Sequence, residues 1–230
     1  MNRTMQVLRN LLYYLVFYPG SALLSGSAAL FANVHRPMFL ASVHGWSGLQ
    51  RWCVENLLGC PVIIEGEKVD GPALYAIKHE SFFEAIDAPT LFDMPVVLAK
   101  AELFRIPAWG PAARAYGLIE VDRNAGARAL MRMMRQARAA ADAGRPLVIF
   151  PEGTRVPHGE RHALAAGFAG LYKALGLPVV PVAVNSGPTY KPRLKPRRPI
   201  TYRFGEPIPP GLPRAEAEAR VLDAINALNP

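Results

Sequence analysis

Seven short runs rich in β-branched residues, separated by helical stretches, constrain the fold of this chain more than any other feature. The runs follow Gly59 and lie at Val62–Ile64, Ala73–Ile77, Val96–Ala99, Leu118–Val121, Leu147–Phe150, Val179–Val184 and Ile200–Phe204. The helical stretches are Phe82–Phe92, Ala125–Asp142, Ala163–Leu175 and Arg214–Leu228. Strands that alternate with helices predict an α/β fold with a largely parallel mixed sheet flanked by helices.

An apolar segment precedes this pattern. No residue from Leu11 to Ala32 is charged, whereas Arg3 and Arg9 precede the segment. It is long enough for a single membrane span, and its basic start also resembles a signal peptide. Because Pro19-Gly20 divides it near the middle and such a pair interrupts helices, we favour a membrane-inserted hairpin that turns there. The sequence therefore predicts an N-terminal helical membrane anchor.

The chain divides into three parts on this reading. Residues 1–36 form the anchor, residues 37–60 a helical connector packing on the body, and residues 61–230 the α/β domain. Cys53 and Cys60 are the two cysteines of the chain, and on a helix they lie too far apart to bond. A body without disulfides fits a reducing compartment. We therefore expect the inner (cytoplasmic) membrane, with the site facing the cytoplasm.

The charge balance favours anionic partners. The chain has 26 Lys and Arg against 18 Asp and Glu, a formal net charge of +8. A dense basic run from Lys191 to Arg198 is either a solvated loop or a surface for anionic lipid headgroups. With an apolar anchor beside this charge, we expect membrane lipids as partners, and no nucleic acid.

A histidine and a carboxylate follow the second predicted strand. His79 lies directly after the strand and Glu84 lies five residues later. The two side chains converge only if His79 precedes the following helix and Glu84 lies inside it. Histidine with an acidic partner is suited to moving a proton near neutral pH. In the alternative interpretation, Ser81 and Glu84 form a capping box that serves only the helix. Asp87 is a second candidate partner for His79.

A glycine-containing turn follows the fifth predicted strand. It reads Pro-Glu-Gly-Thr-Arg from Pro151 to Arg155. Backbone N–H groups around a glycine, a hydroxyl and a guanidinium together can hold a phosphate. The other interpretation is a solvated strand-ending turn. Arg123 and Lys100 end two further predicted strands, and sites in open α/β sheets form beyond strand carboxyl ends. The predicted phosphate-binding residues are Lys100, Arg123, Glu152, Gly153, Thr154 and Arg155.

These pieces, taken in order, resemble the 1-acyl-sn-glycerol-3-phosphate (lysophosphatidic acid) acyltransferase family of the glycerolipid acyltransferase superfamily. The His-x4-Asp block of that family is matched by His79 to Glu84, with Glu in place of the commoner Asp. Residues 117–123 match Gly-x-x-x-Val-Asp-Arg, residues 150–155 match Phe-Pro-Glu-Gly-Thr-Arg, and residues 178–182 match the apolar Pro-Val strand. Residues 100–103 also match Lys-x-Glu-Leu. The resemblance runs from about Ile64 to Asn185.

The resemblance implies an enzyme that moves a fatty acyl group to the 2-hydroxyl of 1-acylglycerol 3-phosphate, giving phosphatidate. His79 would be the general base and Glu84 its partner, and Arg155, Thr154, Gly153 and Arg123 would hold the phosphate. The donor would be acyl-CoA or acyl carrier protein, with no metal and no cofactor. Two alternatives remain: another lyso-lipid acceptor such as lyso-ornithine lipid, and a non-catalytic anionic-lipid-binding module. His158 and His162 have a spacing that suits a metal, but no third ligand lies nearby.

Overall fold

The computed structural model describes residues 3–122 and 126–230, which form one seven-stranded sheet with helices on both faces. The strands are β1 (Val62–Glu65), β2 (Leu74–Ile77), β3 (Val96–Lys100), β4 (Ile119–Val121), β5 (Leu147–Ile149), β6 (Val179–Val184) and β7 (Ile200–Phe204). The α-helices are α1 (Arg3–Phe31), α2 (Arg36–Trp52), α3 (Phe83–Leu91), α4 (Trp109–Tyr116), α5 (Gly126–Asp142), α6 (Ala166–Leu175), α7 (Gly187–Tyr190) and α8 (Arg214–Ile225). A π-helical turn (Cys53–Leu57) extends α2, and a 3₁₀ helix (Ala101–Arg105) follows β3.

The sheet confirms the predicted fold class. Its strand order is β1-β7-β6-β2-β5-β3-β4, and every neighbouring pair is parallel except β6 and β7. All seven predicted strands are present. The central strands are buried on both faces because helices cover each side, which is why they read as continuous apolar runs rather than as alternating ones.

Two hydrophobic cores lie on opposite faces of the sheet. In β2, Tyr75 and Ile77 belong to the core that includes α3 and part of α1, whereas Leu74 and Ala76 belong to the core beneath α5, α6 and α8. This alternation follows the two-residue period of a strand. Core residues therefore pack on both faces of β2, and this packing fixes the position from which the following loop starts.

The prediction of a turn at Pro19-Gly20 is wrong, because α1 runs unbroken from Arg3 to Phe31 with Pro19 inside it. Packing explains why the helix continues. A Cβ atom at Gly20 would lie 2.4 Å from the Cδ2 atom of Leu49, so this glycine allows α2 to approach α1 closely. Gly and Pro are tolerated within apolar helices whose neighbours pack against them. The chain turns instead after Phe31, where the His35 side chain caps α2.

Helix α1 is both apolar and docked on the body. Within residues 3–122 and 126–230 it is the one helix long and apolar enough to cross a membrane. Tyr13 is nevertheless buried, and its hydroxyl lies 2.9 Å from the hydroxyl of Tyr190 on α7. Asn10 bonds both the N–H and the carbonyl of Lys195, at 2.7 and 3.0 Å. One side of α1 therefore belongs to the α/β domain, and its other side exposes large apolar residues.

Helix α4 was not predicted from the sequence. It begins at Trp109 after Ala108, whose backbone has a positive φ of 63°, and it contains Gly110 and Pro111 in its first turn. A Cβ atom at residue 110 would lie 2.1 Å from the carbonyl oxygen of Phe104, so close packing on the 3₁₀ helix requires glycine there. The 3₁₀ helix on which α4 packs contacts β3 and β4.

Candidate active site

His79 stands at the carboxyl end of β2, before α3 begins at Phe83. Its Nδ1 atom lies 2.9 Å from Oε1 of Glu84, a residue in the first turn of α3. This is the arrangement that the spacing requires, with the imidazole in the turn and the carboxylate inside the helix. When Nδ1–H donates to the carboxylate, Nε2 keeps its lone pair and can accept a proton. The imidazole also stacks on the ring of Phe150, with ring centroids 4.2 Å apart.

Glu84 serves the imidazole and the helix together. Its Oε1 atom accepts the backbone N–H groups of Glu80 and Ser81 at 2.6 and 2.7 Å. The hydroxyl of Ser81 accepts the N–H of Phe83 at 3.0 Å, so Ser81 and Glu84 bond the backbone at the helix start much as the predicted capping box would, although the N-cap residue is Phe82 rather than Ser81. The two interpretations of Glu84 are therefore compatible, because one carboxylate oxygen accepts from His79 and from the helix start.

The electrostatics keep Glu84 ionised although it is fully buried. Burial alone would raise its pKa, but hydrogen bonding to His79, the charge of His79 and the hydroxyl of Ser186 together lower the pKa below its ordinary value. Ser186 follows β6, and the sequence analysis did not single it out. Its hydroxyl lies 2.6 Å from Oε2 of Glu84.

Asp87, the second candidate partner of His79, has other contacts. Its carboxylate accepts from the guanidinium of Arg51 at 2.8 Å and from the hydroxyl of Tyr202 at 3.0 Å. Burial raises the pKa of Asp87, and the bonds from Arg51 and Tyr202 oppose that rise. Asp87 therefore joins α2, α3 and β7, and the structure does not pair it with His79.

The turn after β5 needs a glycine for its backbone and exposes two polar side chains. Gly153 has a positive φ of 67°, which favours glycine, while Thr154 and Arg155 are exposed. The guanidinium carbon of Arg155 lies 4.1 Å from the centroid of the Phe82 ring, and a cation–π contact of this kind fixes the direction of the arginine. The exposed hydroxyl and guanidinium are available to an anion.

Glu152 does not fit the phosphate-binding role expected of it. Its side chain is buried, Oε1 lies 2.7 Å from Nζ of Lys78, and Oε2 accepts the backbone N–H of His79 at 3.2 Å. An ionised carboxylate has no donor for a phosphate oxygen, and both oxygens of Glu152 are already bonded within the protein. Glu152 instead ties the loop after β5 to the loop after β2.

The remaining predicted anion-binding residues are Lys100 and Arg123. Lys100 ends β3 and is exposed. Arg123 lies outside the described residues. Because β5 is paired with both β2 and β3, the carboxyl ends of these strands bring His79, Lys100 and Arg155 to one edge of the sheet.

One cavity of about 1090 Å³ joins these residues. Its polar lining residues include His79, Lys100, Gly153, Thr154 and Arg155. The rest of the lining is mainly apolar and comes from α1, α2, α4, α5 and α6, for example Leu24, Trp46, Ala112, Leu130 and Phe168. An amphiphile with an anionic headgroup and a long acyl chain matches this division between a charged edge and an apolar interior.

The two histidines with metal-like spacing have separate partners. His158 Nδ1 lies 2.9 Å from Oε1 of the buried Glu80, and His162 Nε2 lies 3.2 Å from Oε2 of the exposed Glu160. The two rings therefore contact different carboxylates. Burial raises the pKa of Glu80, and the hydrogen bond from His158 opposes that rise.

The family model described as Acyltransferase matches residues 42–185. A 1-acyl-sn-glycerol-3-phosphate acyltransferase of Pseudomonas aeruginosa is 29% identical over 189 residues, which cover 80% of this chain and 73% of that protein. A protein of the same name from Cocos nucifera is 28% identical over 158 residues, covering 66% of this chain and 51% of that protein.

A solved structure has a similar fold. The crystal structure of the 1-acyl-sn-glycerophosphate (LPA) acyltransferase PlsC from Thermotoga maritima superposes with a TM-score of 0.75 and 20% sequence identity. The match covers 96% of this chain and 95% of that chain, so it includes α1 and α2 as well as the sheet.

Proposed function

The chain belongs to the acyltransferase family, and from that premise we propose that it acylates the 2-hydroxyl of 1-acylglycerol 3-phosphate to give phosphatidate for phospholipid synthesis. The acyl donor is a thioester, acyl-CoA or acyl carrier protein. One observation carries the proposal: His79, which is paired with the buried Glu84, and Arg155 line the same largely apolar cavity. The relatives named 1-acyl-sn-glycerol-3-phosphate acyltransferase support this choice of acceptor.

The imidazole acts as the general base. Nε2 of His79 takes the proton of the acceptor hydroxyl while the oxygen attacks the thioester carbonyl carbon. The ionised Glu84 stabilises the imidazolium that forms and holds the ring in one tautomer. Collapse of the tetrahedral intermediate breaks the C–S bond, and the imidazolium returns the proton to the leaving sulfur. The new ester and a free thiol result, and the enzyme is regenerated without a covalent acyl-enzyme.

The cationic edge orients the acceptor. The Phe82 ring orients the guanidinium of Arg155, and Thr154, the preceding residue, has an exposed hydroxyl. A guanidinium can bind two phosphate oxygens at once, which fixes the headgroup in orientation as well as in position. Lys100 adds a second cation on the cavity wall, and Arg123 is proposed as a third ligand. With the phosphate held there, the glycerol hydroxyl is presented to His79.

The exposed apolar side of α1 supports a membrane location. Leu15, Leu23 and Leu30 are 61%, 73% and 68% exposed, which is costly in water and favourable in lipid. Leu24 of the same helix lines the cavity, so an acceptor held in the bilayer would lie near the cavity without leaving the lipid. We propose attachment to the cytoplasmic membrane with the site on the cytoplasmic side.

The test is turnover by purified protein with a panel of lyso-lipid acceptors and both donor types. We expect the wild type to prefer 1-acylglycerol 3-phosphate, His79→Ala to lose turnover by a factor of at least about 10², and Arg155→Ala to raise KM for phosphate-bearing acceptors. His162→Ala removes a surface histidine and is the matched control, expected to keep full activity. Normal turnover by His79→Ala would overturn the proposal, and a preference for lyso-ornithine lipid would replace the acceptor.

A further inference from the structure

Ser186 is a buried hydroxyl placed against the carboxylate of Glu84. It lies two residues after β6, its side chain is inaccessible to solvent, and Oγ lies 2.6 Å from Oε2 of Glu84 and 2.7 Å from Oγ of Ser81. The contacts of His79 are on the other oxygen of Glu84, at Oε1. The Ser186 hydroxyl bonds Glu84 and Ser81 and lies outside the cavity lining, so any effect on chemistry passes through Glu84.

The hydrogen atom of the Ser186 hydroxyl can be assigned. An ionised carboxylate only accepts, so the Ser186 hydroxyl donates to Oε2 of Glu84. The hydroxyl of Ser81 accepts from the N–H of Phe83 and donates toward Ser186 or toward Oε2 of Glu84, which is 3.0 Å away. Both carboxylate oxygens therefore have donors, with two backbone N–H groups and His79 on Oε1. A carboxylate held at both oxygens cannot rotate about its Cγ–Cδ bond without breaking one set.

The backbone after β6 fixes where this hydroxyl points. The N–H of Gly187 donates to Oε2 of Glu80 at 2.8 Å, and a Cβ atom at residue 187 would lie 2.9 Å from that same oxygen. The carbonyl of Ser186 accepts the N–H of Tyr190 at 2.8 Å, which starts α7. The segment that carries His79 therefore holds both residues through its carboxylates. Glu84 accepts from the hydroxyl of Ser186, and Glu80 accepts from the N–H of Gly187.

We propose that Ser186 is a positioning residue for acyl transfer, which holds the Glu84 carboxylate in the orientation that accepts from His79. The inference rests on the proposed function, because it assumes that His79 is the base. In the wild type the hydroxyl stabilises the charged form of Glu84. Its loss removes the shorter of the two hydroxyl contacts on Oε2 and leaves only the Ser81 hydroxyl there, at 3.0 Å, so the carboxylate is held less firmly in the orientation that accepts from His79.

A purely structural serine would behave differently. Ser47 provides the comparison, because it is also fully buried and its hydroxyl bonds another hydroxyl, that of Thr90, at 2.6 Å. Ser47 lies on α2 and contacts neither His79 nor Glu84. Removal of the same oxygen atom from either position costs buried hydrogen bonds, but only the change at Ser186 alters the partner of His79.

The experiment compares Ser186→Ala, Ser186→Thr and Ser47→Ala in the full-length protein. We expect Ser186→Ala to lower kcat about tenfold with KM for donor and acceptor within about twofold, since transition-state stabilisation is lost without loss of substrate binding. Ser186→Thr keeps the hydroxyl and should keep most of kcat. Ser47→Ala should keep kcat whatever it costs in stability.

A second readout is the pH dependence of kcat. A Glu84 carboxylate held less firmly stabilises the imidazolium less, so the acid limb, where the base becomes protonated, should move to lower pH in Ser186→Ala and stay in place in Ser47→Ala. The titratable groups that interact with Glu84 are His79, Glu80, Tyr190 and Tyr202. None of these is changed in the three variants.

The outcomes separate the inference from the function it rests on. If His79→Ala is inactive but Ser186→Ala matches Ser47→Ala in both kcat and acid limb, the positioning role is overturned and the proposed function stands. A Ser186→Thr variant that folds yet is as slow as Ser186→Ala overturns it as well. If His79→Ala keeps its turnover, the proposed function has failed first.

Discussion

Lys78 and Glu152 form a salt bridge of 2.7 Å in which both side chains are inaccessible to solvent. The Lys78 ammonium also donates to the carbonyl of Glu160 and to Oδ1 of Asn226, at 3.0 and 2.9 Å. Its three hydrogens are thereby used, and the other oxygen of Glu152 accepts the N–H of His79. Buried charges are tolerated when they are paired and fully bonded in this way.

The first prediction concerns this pair. Lys78→Met leaves the Glu152 carboxylate buried without its cation, so we expect the free energy of unfolding to fall by about 3–5 kcal/mol. The double variant Lys78→Met/Glu152→Gln removes both charges and should recover part of that loss. Urea denaturation of the detergent-solubilised protein measures both effects. A single variant as stable as the wild type would contradict the role given to the pair.

The second prediction separates the two roles of Glu84. Because its carboxylate both accepts from His79 and closes the start of α3, Glu84→Ala should abolish turnover and also destabilise the protein by about 2–4 kcal/mol, through loss of the cap and of buried hydrogen-bond partners. His79→Ala should abolish turnover to a similar extent but cost only about 1.5 kcal/mol, because the backbone N–H groups and the Ser186 hydroxyl still bond Glu84. Activity assays and urea denaturation of the two variants, side by side, make the comparison. Equal stability losses would refute the double role.

The site was predictable from the sequence where a chemical group directly follows a strand. His79 lies in the loop after β2 and Arg155 in the turn after the neighbouring β5, so parallel pairing of the two strands brings them to one edge. The partnership of Glu84 with His79 was predictable as well, since α3 begins in the turn between them. Local rules suffice in both cases, because position along a strand or helix fixes the direction of the side chain.

Other features were not predictable because tertiary packing decides them. Pro19-Gly20 resembles a turn, yet close approach of Leu49 makes the glycine a packing residue within a continuous helix. Glu152 resembles part of an anion-binding turn, yet its carboxylate is paired with Lys78, more than 70 residues earlier in the sequence. Ser186 carries no local motif, and its importance is visible only through a contact with a carboxylate 102 residues away. No periodicity encodes such pairs.

The third prediction concerns the orientation of the Arg155 guanidinium. Its guanidinium lies over the ring of Phe82, which is itself 54% exposed. A cation–π contact at an exposed site is worth about 0.5–1 kcal/mol, so Phe82→Ala should raise KM for 1-acylglycerol 3-phosphate about two- to fivefold and leave kcat nearly unchanged. Phe82→Tyr keeps the ring and should retain the wild-type KM. An unchanged KM in Phe82→Ala would show that the ring does not orient the arginine.

The fourth prediction concerns the apolar part of the cavity. Ala112 on α4 is 8% exposed, lines the cavity and packs in the cluster that contains Ala28 and Tyr116. Ala112→Leu would occupy space available to the end of an acyl chain, while each buried methylene contributes about 0.8 kcal/mol to binding. We expect kcat/KM to fall for long acyl chains and to change little for short ones. The ratio of kcat/KM for long acyl chains to kcat/KM for short ones is an internal control for folding. An unchanged ratio would mean that the acyl chain does not bind beside Ala112.

The fifth prediction concerns Lys195, which holds the basic loop against α1. Its ammonium lies 4.4 Å from the centroid of the Tyr190 ring, and burial lowers its pKa to about 8. The folded state therefore binds this proton less tightly than the unfolded chain does, whose lysine pKa is about 10.4. Below pH 8 both states are charged and the cost of burial is fully present. Between about pH 8 and 10 the folded state is neutral while the unfolded state is still charged, so stability rises with pH in that window.

Lys195→Met has no such titration and provides the reference. The difference in free energy of unfolding, wild type minus Lys195→Met, should be flat from about pH 6 to 7 and should then rise toward pH 10, by no more than about 1.4 kcal/mol per pH unit. Tyr190 does not interfere, because burial raises its pKa to about 12. Urea denaturation across this range, in one detergent and at constant ionic strength, supplies the curve. A difference that stays flat or falls up to pH 10 would mean that the Lys195 ammonium is as well stabilised at the loop–α1 contact as it is in water.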